Sequence, residues 1–295
     1  MRISITGGNG FIGSTLIANL LESKNHEITI FSNKKLEYTN QISRYKYNVV
    51  LGNLCEDKVY AEMVDSDIIF HLAQINLGTS KDIASDLLIN SLSTGYIVQQ
   101  CIKRKIKPLV VLASTNNILR SKNESPPSIW SLHKKFSEQY LNFYRDNYGG
   151  RVTVVRISNV YGFPVNLNKY ENSSLNRMYS MALNGSIKLF NNSHKKRAYI
   201  HVQDLVNCLQ GLIHYKNIKN NILYAAENRL LSYEEIATIL EIKSIQNQIK
   251  LKIIRDRSLL SLIEMQDDNL YEPNIFRELN INPLHSVENY LKGGR

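Results

Sequence analysis

Cysteine is scarce in this chain of 295 residues, which has three: Cys55, Cys101 and Cys208. An odd number of widely separated cysteines supports neither a disulfide framework nor a CxxC metal site, so we expect buried free thiols and no metal ion. Long apolar runs are also absent: none approaches the ~20 residues of a membrane span, and the N-terminus lacks the features of a signal peptide. We therefore predict a cytoplasmic protein that does not contact a membrane.

Acidic residues are outnumbered, with 26 Asp and Glu against 36 Lys and Arg, and the formal net charge is +10. This excess favours anionic partners. The basic residues are dispersed, however, and their densest groups, 103–107 and 194–197, are short and poor in aromatic side chains. A nucleic-acid footprint requires a larger basic patch, so we predict no nucleic-acid partner and favour a small anionic ligand such as a nucleotide.

Short apolar runs alternate with longer amphipathic segments from the N-terminus to about residue 160. This alternation is typical of a parallel sheet covered by helices, and a hydrophobic content of 43% suffices for one large core or two smaller ones. Beyond residue 160 the alternation weakens. We predict an α/β fold with a doubly wound parallel sheet in residues 1–160. A smaller lobe, 161–295, would return some segments to the first domain and leave a cleft between the two.

The same pattern gives the limits of individual elements. Strands are predicted at 2–6, 27–31, 47–51, 67–73, 108–114 and 151–158, and helices at 11–23, 89–103 and 132–148. In the second lobe, Ser232 followed by Glu235 is typical of a capping box and predicts that a helix begins there.

The segment TGGNGFIG joins the first predicted strand to the first predicted helix. Gly7, Gly10 and Gly13 fit a loop in which the backbone turns tightly, approaches a pyrophosphate and lets the helix press on the strand. The first helical residues, Phe11 and Ile12, would offer unpaired N–H groups at the positive end of the helix dipole. We therefore predict a dinucleotide site at this turn, whereas a purely structural glycine turn is the alternative.

The second predicted strand should end beside the adenosine ribose of such a dinucleotide. Sites that prefer NAD usually place Asp or Glu there, whereas a 2′-phosphate requires hydrogen-bond donors or cations. This sequence has Ser32, Asn33, Lys34 and Lys35 at that point. We predict NAD(P) as the cofactor and favour NADP, the alternative being that the lysines are merely solvated.

Six segments together resemble the extended short-chain dehydrogenase/reductase family, whose members are nucleotide-sugar epimerases, dehydratases and reductases with a Rossmann sheet. The segments extend over most of the chain and are specific for the family, though not for a substrate. They are TGGNGFIG at 6–13, HLAQ at 71–74, NSLST at 90–94, LAST at 112–115, RISNVYG at 156–162 and KRAYIHVQDL at 196–205.

The resemblance implies further cofactor contacts. Leu72 and the backbone around Ala73 would line the cofactor, and Asn90 would support the active site through hydrogen bonds. Asn53, with Leu54 after it, occupies the place where relatives usually carry an adenine-binding Asp. An amide both accepts and donates hydrogen bonds, so this departure is minor.

The resemblance also implies a sugar-nucleotide site. The segment STNNIL resembles the family's Ser-Thr/Ser-x-x-Val-Tyr segment and places the catalytic hydroxyl on Thr115. A strand-end hydroxyl that caps its own backbone is the alternative for this residue. Asn159 and Arg197 match positions that hold the sugar-nucleotide diphosphate in relatives, and a guanidinium binds phosphate oxygens in a bidentate way. A solvated surface arginine is the alternative for Arg197.

The family's central pair is Tyr-x-x-x-Lys, two residues one helical turn apart. Aligning the segment KKFSEQ places Lys134 at the lysine and Glu138 at its usual follower, which leaves Trp130 where the tyrosine belongs. The lysine lowers the tyrosine pKa and holds the nicotinamide ribose, while the phenol transfers a proton. An indole donates one hydrogen bond but does not titrate near neutral pH, so Trp130 can fill the position without moving the proton.

Three interpretations of this substitution stay open. An active enzyme has passed the proton step to Thr115, His133, Tyr161 or a cofactor-linked water; the chain binds its ligands with little turnover; or Trp130 is a core residue and the acid lies elsewhere. We expect Lys134, Thr115 and Trp130 to form the catalytic group.

The resemblance implies an enzyme that transfers hydride at a ring carbon, carbon 4 being favoured, of a nucleoside-diphosphate sugar, as a ketoreductase or epimerase. A catalytically silent homologue is the alternative. A 4,6-dehydratase is disfavoured, because such relatives use an Asp-Glu pair where this chain has Asn116 and Asn117, and amides cannot exchange the proton. Relatives often dimerise through the helices that follow the segments LLIN and SIWS, so we predict a homodimer.

Overall fold

A computed structural model describes most of the chain. The described residues are 1–54, 56–75, 82–119, 128–190, 192–214, 220–246, 250–256 and 267–293. Cys55 therefore lies outside the described residues, whereas Cys101 and Cys208 are free and buried, as predicted. No helix in these ranges is long and apolar enough to cross a bilayer.

Seven parallel strands form the central sheet. Their order is β10-β6-β5-β4-β1-β2-β3, which confirms the prediction of a doubly wound sheet. The strands are β1 (Arg2–Thr6), β2 (Glu27–Ser32), β3 (Asn48–Leu51), β4 (Ile68–His71), β5 (Leu109–Thr115), β6 (Arg151–Ile157) and β10 (Ile222–Ala225).

Helices cover both faces of this sheet. They are α1 (Phe11–Ser23), α2 (Thr39–Ile42), α3 (Asp57–Val64), α4 (Ile83–Leu87), a π-helical turn (Leu88–Leu92), α5 (Ser93–Arg104), α6 (Ile129–Tyr148) and α8 (Val202–His214). Because alternate strand residues face opposite ways, the sheet has two cores. Ile5 packs with Leu16 of α1 and Leu209 of α8 on one face. Ile69 and Leu141 belong to the core of the other face, under α3, α5 and α6.

Smaller sheets follow β6. A three-stranded sheet contains β7 (Asn159–Tyr161), β9 (Arg197–His201) and β11 (Leu230–Leu231), and a two-stranded parallel sheet contains β8 (Ser186–Phe190) and β12 (Lys252–Asp256). Around them lie α7 (Ser174–Leu183), α9 (Tyr233–Gln246), α10 (Ile275–Glu278) and α11 (Val287–Leu291). Strand β10 joins the central sheet and α8 packs on α1. The chain after residue 160 therefore contributes both to the central sheet with its helices and to the smaller sheets. The domain boundary at 160 stays a prediction.

Two helix starts show how local capping sets the boundaries. Ser232 donates its backbone N–H to Glu235 Oε2 (2.7 Å) and accepts the Glu235 N–H at its hydroxyl (3.2 Å), which confirms the predicted capping box. Helix α6 begins at Ile129 rather than at the predicted residue 132, because the Ser128 hydroxyl accepts the Ser131 N–H at 3.1 Å and caps it earlier. Trp130 and Lys134 therefore share one face of α6.

Candidate active site

The turn between β1 and α1 has no room for a side chain at Gly7 or Gly13. Gly7 has φ of +75°, and a Cβ there would lie 2.8 Å from the Ala73 nitrogen. A Cβ on Gly13 would lie 2.3 Å from the Gly7 carbonyl oxygen. Gly10 donates its N–H to that same carbonyl (2.9 Å) and has no side chain with which to cap α1. A ligand can therefore approach the backbone closely, as a pyrophosphate requires.

The N-terminus of α1 completes this turn. Phe11 and Ile12, both half-buried, are the first residues of the helix, and its first turn contains no acidic residue. The positive end of the helix dipole is therefore not offset by a side chain of that turn, which favours a bound anion.

A chain of hydrogen bonds fixes the end of β4 beside the turn. Thr6 Oγ1 accepts the N–H groups of Leu72 (3.1 Å) and Ala73 (3.0 Å) and lies 2.9 Å from His71 Nδ1. Because that oxygen accepts twice, its own hydrogen goes to Nδ1, and His71 Nε2 then donates to Ser93 Oγ at 3.0 Å. Burial lowers the pKa of His71 to about 3, so the ring is neutral. Leu72 and Ala73 thus lie beside Gly7. Their contact with a cofactor stays a prediction.

The loop after β2 is ordered by its own side chains. The Ser32 hydroxyl donates to the Lys34 carbonyl (2.7 Å), and the Lys34 ammonium pairs with the carboxylate of Glu37. Hydrogen bonding from Lys34 is the largest of the effects that lower the pKa of Glu37 to about 2. Sequence reasoning missed Glu37, because it lies five residues beyond Ser32, the last residue of β2, and not at the strand end where dinucleotide sites usually carry an acid. Asn33 is exposed beside this pair.

Asn53 and Leu54 follow β3, the edge strand next to β2. The Asn53 backbone N–H donates to Glu56 Oε1 at 3.2 Å. Asn53 is exposed, whereas Leu54 is buried. Asn90 lies in the π-helical turn and fixes the backbone after β4: its amide donates to the Ile75 carbonyl (3.0 Å) and accepts the Ile75 N–H (2.7 Å). That Asn90 supports an active site in this way stays a prediction.

Lys134 is a buried cation at the carboxyl end of β5. It is 2% exposed, and its ammonium donates to the Ala113 carbonyl at 2.9 Å. Burial lowers the pKa of Lys134 to about 8, although the charge of Glu138 opposes the shift. Glu138 accepts the Ser114 hydroxyl (2.5 Å) and pairs with Arg156 (Nη2–Oε2 2.6 Å). An ammonium in this setting can exchange a proton close to neutral pH.

Trp130 lies one turn before Lys134 on α6. Its indole nitrogen is buried and has no hydrogen-bond partner within the described ranges. Thr115 is also buried, and its oxygen accepts the Asn117 N–H at 3.1 Å. The capping role raised as the alternative for Thr115 is therefore present, but it uses the oxygen as an acceptor and leaves the hydroxyl hydrogen to donate. Two donors, an indole and a hydroxyl, are thus available near Lys134.

The other proposed proton donors differ in position. His133 is buried, burial lowers its pKa, and its Nδ1 has no partner among the residues that the structure describes. Tyr161 is fully buried and donates its hydroxyl to Glu227 Oε1 at 2.6 Å. Burial raises the pKa of Tyr161 far above its usual range and that of Glu227 to about 7. Tyr161 therefore belongs to the core of the smaller sheets and is poorly placed to protonate a sugar.

Asn159 and Arg197 lie on the neighbouring strands β7 and β9. The Asn159 amide donates to the Ala198 carbonyl at 2.9 Å. Arg197 is 4% exposed: its guanidinium lies 4.0 Å from the centre of the Tyr233 ring and donates to the carbonyls of Lys195 (2.6 Å) and Asn192 (3.1 Å). Arg197 is thus not a solvated surface residue, and these bonds use two of its five N–H groups.

His201, Asp204 and His285 form a cluster that resembles a metal site in composition. The two imidazole rings are stacked, with centroids 3.9 Å apart and planes 16° from parallel. Ring nitrogens bind a metal in the plane of the ring, so two stacked rings cannot converge on one ion. Asp204 also accepts the backbone N–H groups of Leu284 (3.1 Å) and His285 (3.0 Å). We assign the cluster to docking of the C-terminal segment.

The parallel sheet and the glycine turn define a doubly wound α/β protein with a turn suited to a dinucleotide, and Lys134 is buried at the carboxyl end of β5. The chain belongs to the NAD dependent epimerase/dehydratase family, which matches it over residues 3–224. This membership confirms the resemblance to the nucleotide-sugar epimerases and dehydratases of the extended short-chain type.

Individual relatives are distant. GDP-6-deoxy-D-talose 4-dehydrogenase of Aggregatibacter actinomycetemcomitans is 28% identical over 178 residues, 57% of this chain and 56% of that protein. UDP-glucuronic acid decarboxylase 1 of Danio rerio is 26% identical over 90% of this chain and 64% of that protein, so the chain spans less than two thirds of either. UDP-glucuronic acid 4-epimerase of Bacillus cereus, solved with UDP-glucuronic acid and NAD, has a TM-score of 0.82 at 18% identity, covering 100% of this chain and 98% of that one. This last likeness shows the fold alone.

Proposed function

We propose that the protein is an NAD(P)-dependent enzyme that transfers hydride at carbon 4 of a nucleoside-diphosphate sugar, as a ketoreductase or epimerase. The observation that carries the proposal is Lys134, which is buried on α6 at the carboxyl end of β5. Strand β5 belongs to the same sheet as β1, the strand that the glycine turn follows. Family membership supports the substrate class. Carbon 4 is supported by the name of one relative, the 4-dehydrogenase.

The residues around the turn fit a dinucleotide. A Cβ on Gly7 or Gly13 would collide with backbone atoms, so only glycine permits this tight turn. The N-terminus of α1 that follows it has no acidic side chain in its first turn, which favours a bound pyrophosphate. A bound nicotinamide would supply or accept the hydride. Lys134 would hold the ribose hydroxyls and, while protonated, place a positive charge beside the reacting oxygen.

Side chains of the protein would donate hydrogen bonds and a proton to the oxygen on carbon 4. Thr115 would donate its hydroxyl hydrogen to that oxygen, and Trp130 would donate its indole N–H. Neither group gives up a proton near neutral pH. Lys134, with a pKa of about 8, is the titratable group of this trio and would release the proton that completes a reduction. Asn159 and Arg197 would bind the diphosphate.

Trp130 also favours a second candidate, a homologue that binds both ligands without turnover, because an indole does not titrate near neutral pH. Oxidation of NADH or NADPH with a panel of 4-keto sugar nucleotides, and epimerisation of the parent sugars, test the first proposal. Tight binding of both ligands without turnover would instead establish the silent homologue.

A homodimer through α5 and α6 is part of the proposal. A groove between these helices is lined by Gly95, Val98 and Tyr140, and Phe136 and Phe143 beside it are 44% and 51% exposed. Exposed apolar side chains grouped on one face in this way are typical of an interaction surface. Sedimentation of a Phe143→Glu variant should show a monomer, and Ile245→Glu, at a residue 70% exposed on α9, provides the control.

The cofactor is proposed as NAD(P). The preference for NADP predicted from Ser32, Asn33 and Lys34 takes no account of Glu37, which pairs with Lys34 in the structure. A cytoplasmic location and the absence of a nucleic-acid partner stay predictions.

A further inference from the structure

Lys134 and Glu138 lie one turn apart on α6, the spacing at which opposite charges on a helix usually pair. Both residues are buried, at 2% and 3% exposed. In the part of the chain that the structure describes, however, the Lys134 ammonium makes no ion pair and donates instead to the Ala113 carbonyl at 2.9 Å. The Glu138 carboxylate is therefore bound by other residues.

Arg156 of β6 binds both oxygens of that carboxylate. Its Nε donates to Glu138 Oε1 at 3.0 Å, and its Nη2 donates to Oε2 at 2.6 Å. The Ser114 hydroxyl also donates to Oε1, at 2.5 Å. Ser114 and Arg156 are register partners on β5 and β6, so strand pairing itself places the two donors side by side. Both oxygens of Glu138 are thus occupied by groups other than Lys134.

Arg156 is itself held in place from the far side. Its Nη1 donates to the Tyr224 hydroxyl of β10 at 2.9 Å, and the Tyr224 ring stacks on Tyr271 with centroids 5.1 Å apart. Burial alone would lower the pKa of Arg156, but hydrogen bonding to Glu138 outweighs burial and raises it. The guanidinium therefore stays charged while Lys134 titrates.

The charges around Lys134 decide how readily its ammonium gives up a proton. Among the described residues these groups are His71 of β4, which burial keeps neutral, Glu138, and Arg156 behind that carboxylate. An unpaired carboxylate beside an ammonium favours the charged form and would raise its pKa by about 1 to 3. A bidentate guanidinium offsets most of that charge. Burial accordingly lowers the pKa of Lys134 to about 8, although Glu138 opposes the change.

We propose that Arg156 is a positioning residue: it binds both oxygens of Glu138, keeps that carboxylate from pairing with Lys134, and so lets the ammonium give its proton to the substrate oxygen. The inference rests on the proposed function and gives a role to an ion pair that the proposed mechanism does not use. In the step that it serves, the Nζ–H bond of Lys134 breaks and the oxygen on carbon 4 gains that hydrogen. The lysine is left as a neutral amine, and carbon 4 accepts hydride from the bound nicotinamide.

The titration of Lys134 tests this role on the full chain without any need for turnover. NMR of the lysine ε-carbons follows the titration, and Lys134→Met assigns the signal. Arg156→Gln removes the charge, keeps an amide that can donate to Glu138, and should raise the midpoint by about one pH unit or more. A rise of less than about 0.3, or a natural midpoint at the ordinary lysine value of about 10.4, would overturn the proposal.

The double variant Glu138→Gln with Arg156→Gln separates loss of charge from damage to the fold. It removes both charges together, so the Lys134 midpoint should stay within about 0.5 of the natural value. A larger change would show that Glu138 acts on Lys134 in spite of Arg156, which contradicts the proposal even where the single variant does not fold. Thermal unfolding confirms that each variant is folded.

Arg145→Gln is the matched control, since it removes the same charge from the last turn of the same helix. Arg145 pairs with Asp146 at 2.7 Å, and 31% of its side chain is exposed. The Lys134 midpoint should not change in this variant. An equal rise in Arg145→Gln and Arg156→Gln would mean that net charge sets the midpoint, and would also overturn the proposal.

The two levels of proposal fail differently. A natural protein that binds neither NADH nor NADPH removes the proposed function and its proton step, whereas the NMR titration still reports whether Arg156 keeps Glu138 from Lys134. A protein that turns over, with a midpoint that Arg156→Gln does not move, retains the proposed function and loses only the role of Arg156. Where both hold, the loss of reductase activity at high pH should move with the midpoint.

Discussion

The coenzyme end and the sugar end of the proposed site are built in different ways. At the coenzyme end, backbone atoms form the site: a Cβ on Gly7 or Gly13 would collide with main-chain atoms, and Thr6 accepts two backbone N–H groups. At the sugar end, side chains form it. Trp130 and Lys134 come from α6, Thr115 from β5 and Arg197 from β9.

This difference sets how tolerant each end is to substitution. A site formed by the main chain tolerates few substitutions, because an added side-chain atom would collide with the backbone of the fold. A side-chain site can keep its shape while its chemistry changes. Trp130, which the resemblance places at the position of the family's tyrosine, would be such a change. We expect substitutions at the coenzyme end to abolish binding, and those at the sugar end to alter rates.

Gly13→Ala should break the coenzyme end and have the largest effect. The new Cβ would lie 2.3 Å from the Gly7 carbonyl oxygen, so the turn must move. We expect coenzyme affinity to fall by more than about a hundredfold, and the free energy of unfolding to fall by ~1–3 kcal/mol, as in overpacked sites. Calorimetry and denaturant unfolding measure both.

Gly211→Ala in α8 is the control, because the nearest atoms there are the flexible ends of Ile281 and Leu279, at 3.1 and 3.2 Å. It should leave coenzyme binding unchanged. Equal losses in both variants would contradict a turn built from backbone.

Lys134→Met should sharpen the contrast between the two ends, because it removes the titratable ammonium and leaves the fold intact. We expect turnover to fall by ~100 to 10,000-fold, the usual contribution of acid–base assistance. The free energy of unfolding should hold or rise, because a buried cation is replaced by an apolar side chain of similar length. Lys135→Met, at the neighbouring position, is the control and should retain turnover. Loss of stability in step with turnover would instead indicate a structural role.

Glu227 tests the region behind the sugar end through pH. Burial raises its pKa to about 7. The folded state thus binds this proton more tightly than the unfolded state, so the stabilisation is fully present below pH ~4.5 and is lost as pH rises to about 7. The free energy of unfolding of the natural protein should decrease between about pH 5 and about pH 8. In Glu227→Gln this decrease should be smaller by ~2 kcal/mol. Parallel pH profiles for the two proteins would contradict this assignment.

Trp130→Phe should have the smallest effect, because it removes one hydrogen bond and keeps the aromatic bulk. A net hydrogen bond contributes ~1 kcal/mol, so we expect kcat/KM to fall by roughly threefold to tenfold. Trp130→Tyr is the companion measurement: a gain of ~100-fold or more would show that the natural site has lost its acid. Unchanged kinetics in both variants would place Trp130 outside the site.

The two ends also differ in how far the sequence predicts them. Helix α1 begins at Phe11 and ends at Ser23, as predicted, because the glycine turn before it and its apolar spacing are local signals. The ion pair of Lys34 with Glu37 was not predicted, since it depends on the path of the loop between them. Tyr161 was grouped with the site by its motif, yet its partner Glu227 lies 66 positions away in the chain. Contacts between distant side chains carry no local pattern.

The return of β10 to the central sheet constrains how this protein can be divided or recombined. A fragment that ended at the close of β6 would expose an unpaired strand edge and the face of α1 that α8 covers, both of which promote aggregation. The half of the chain after β6 therefore cannot be exchanged as a module between such proteins by a single crossover. New substrate preferences must arise by substitution in place, with the entire chain retained.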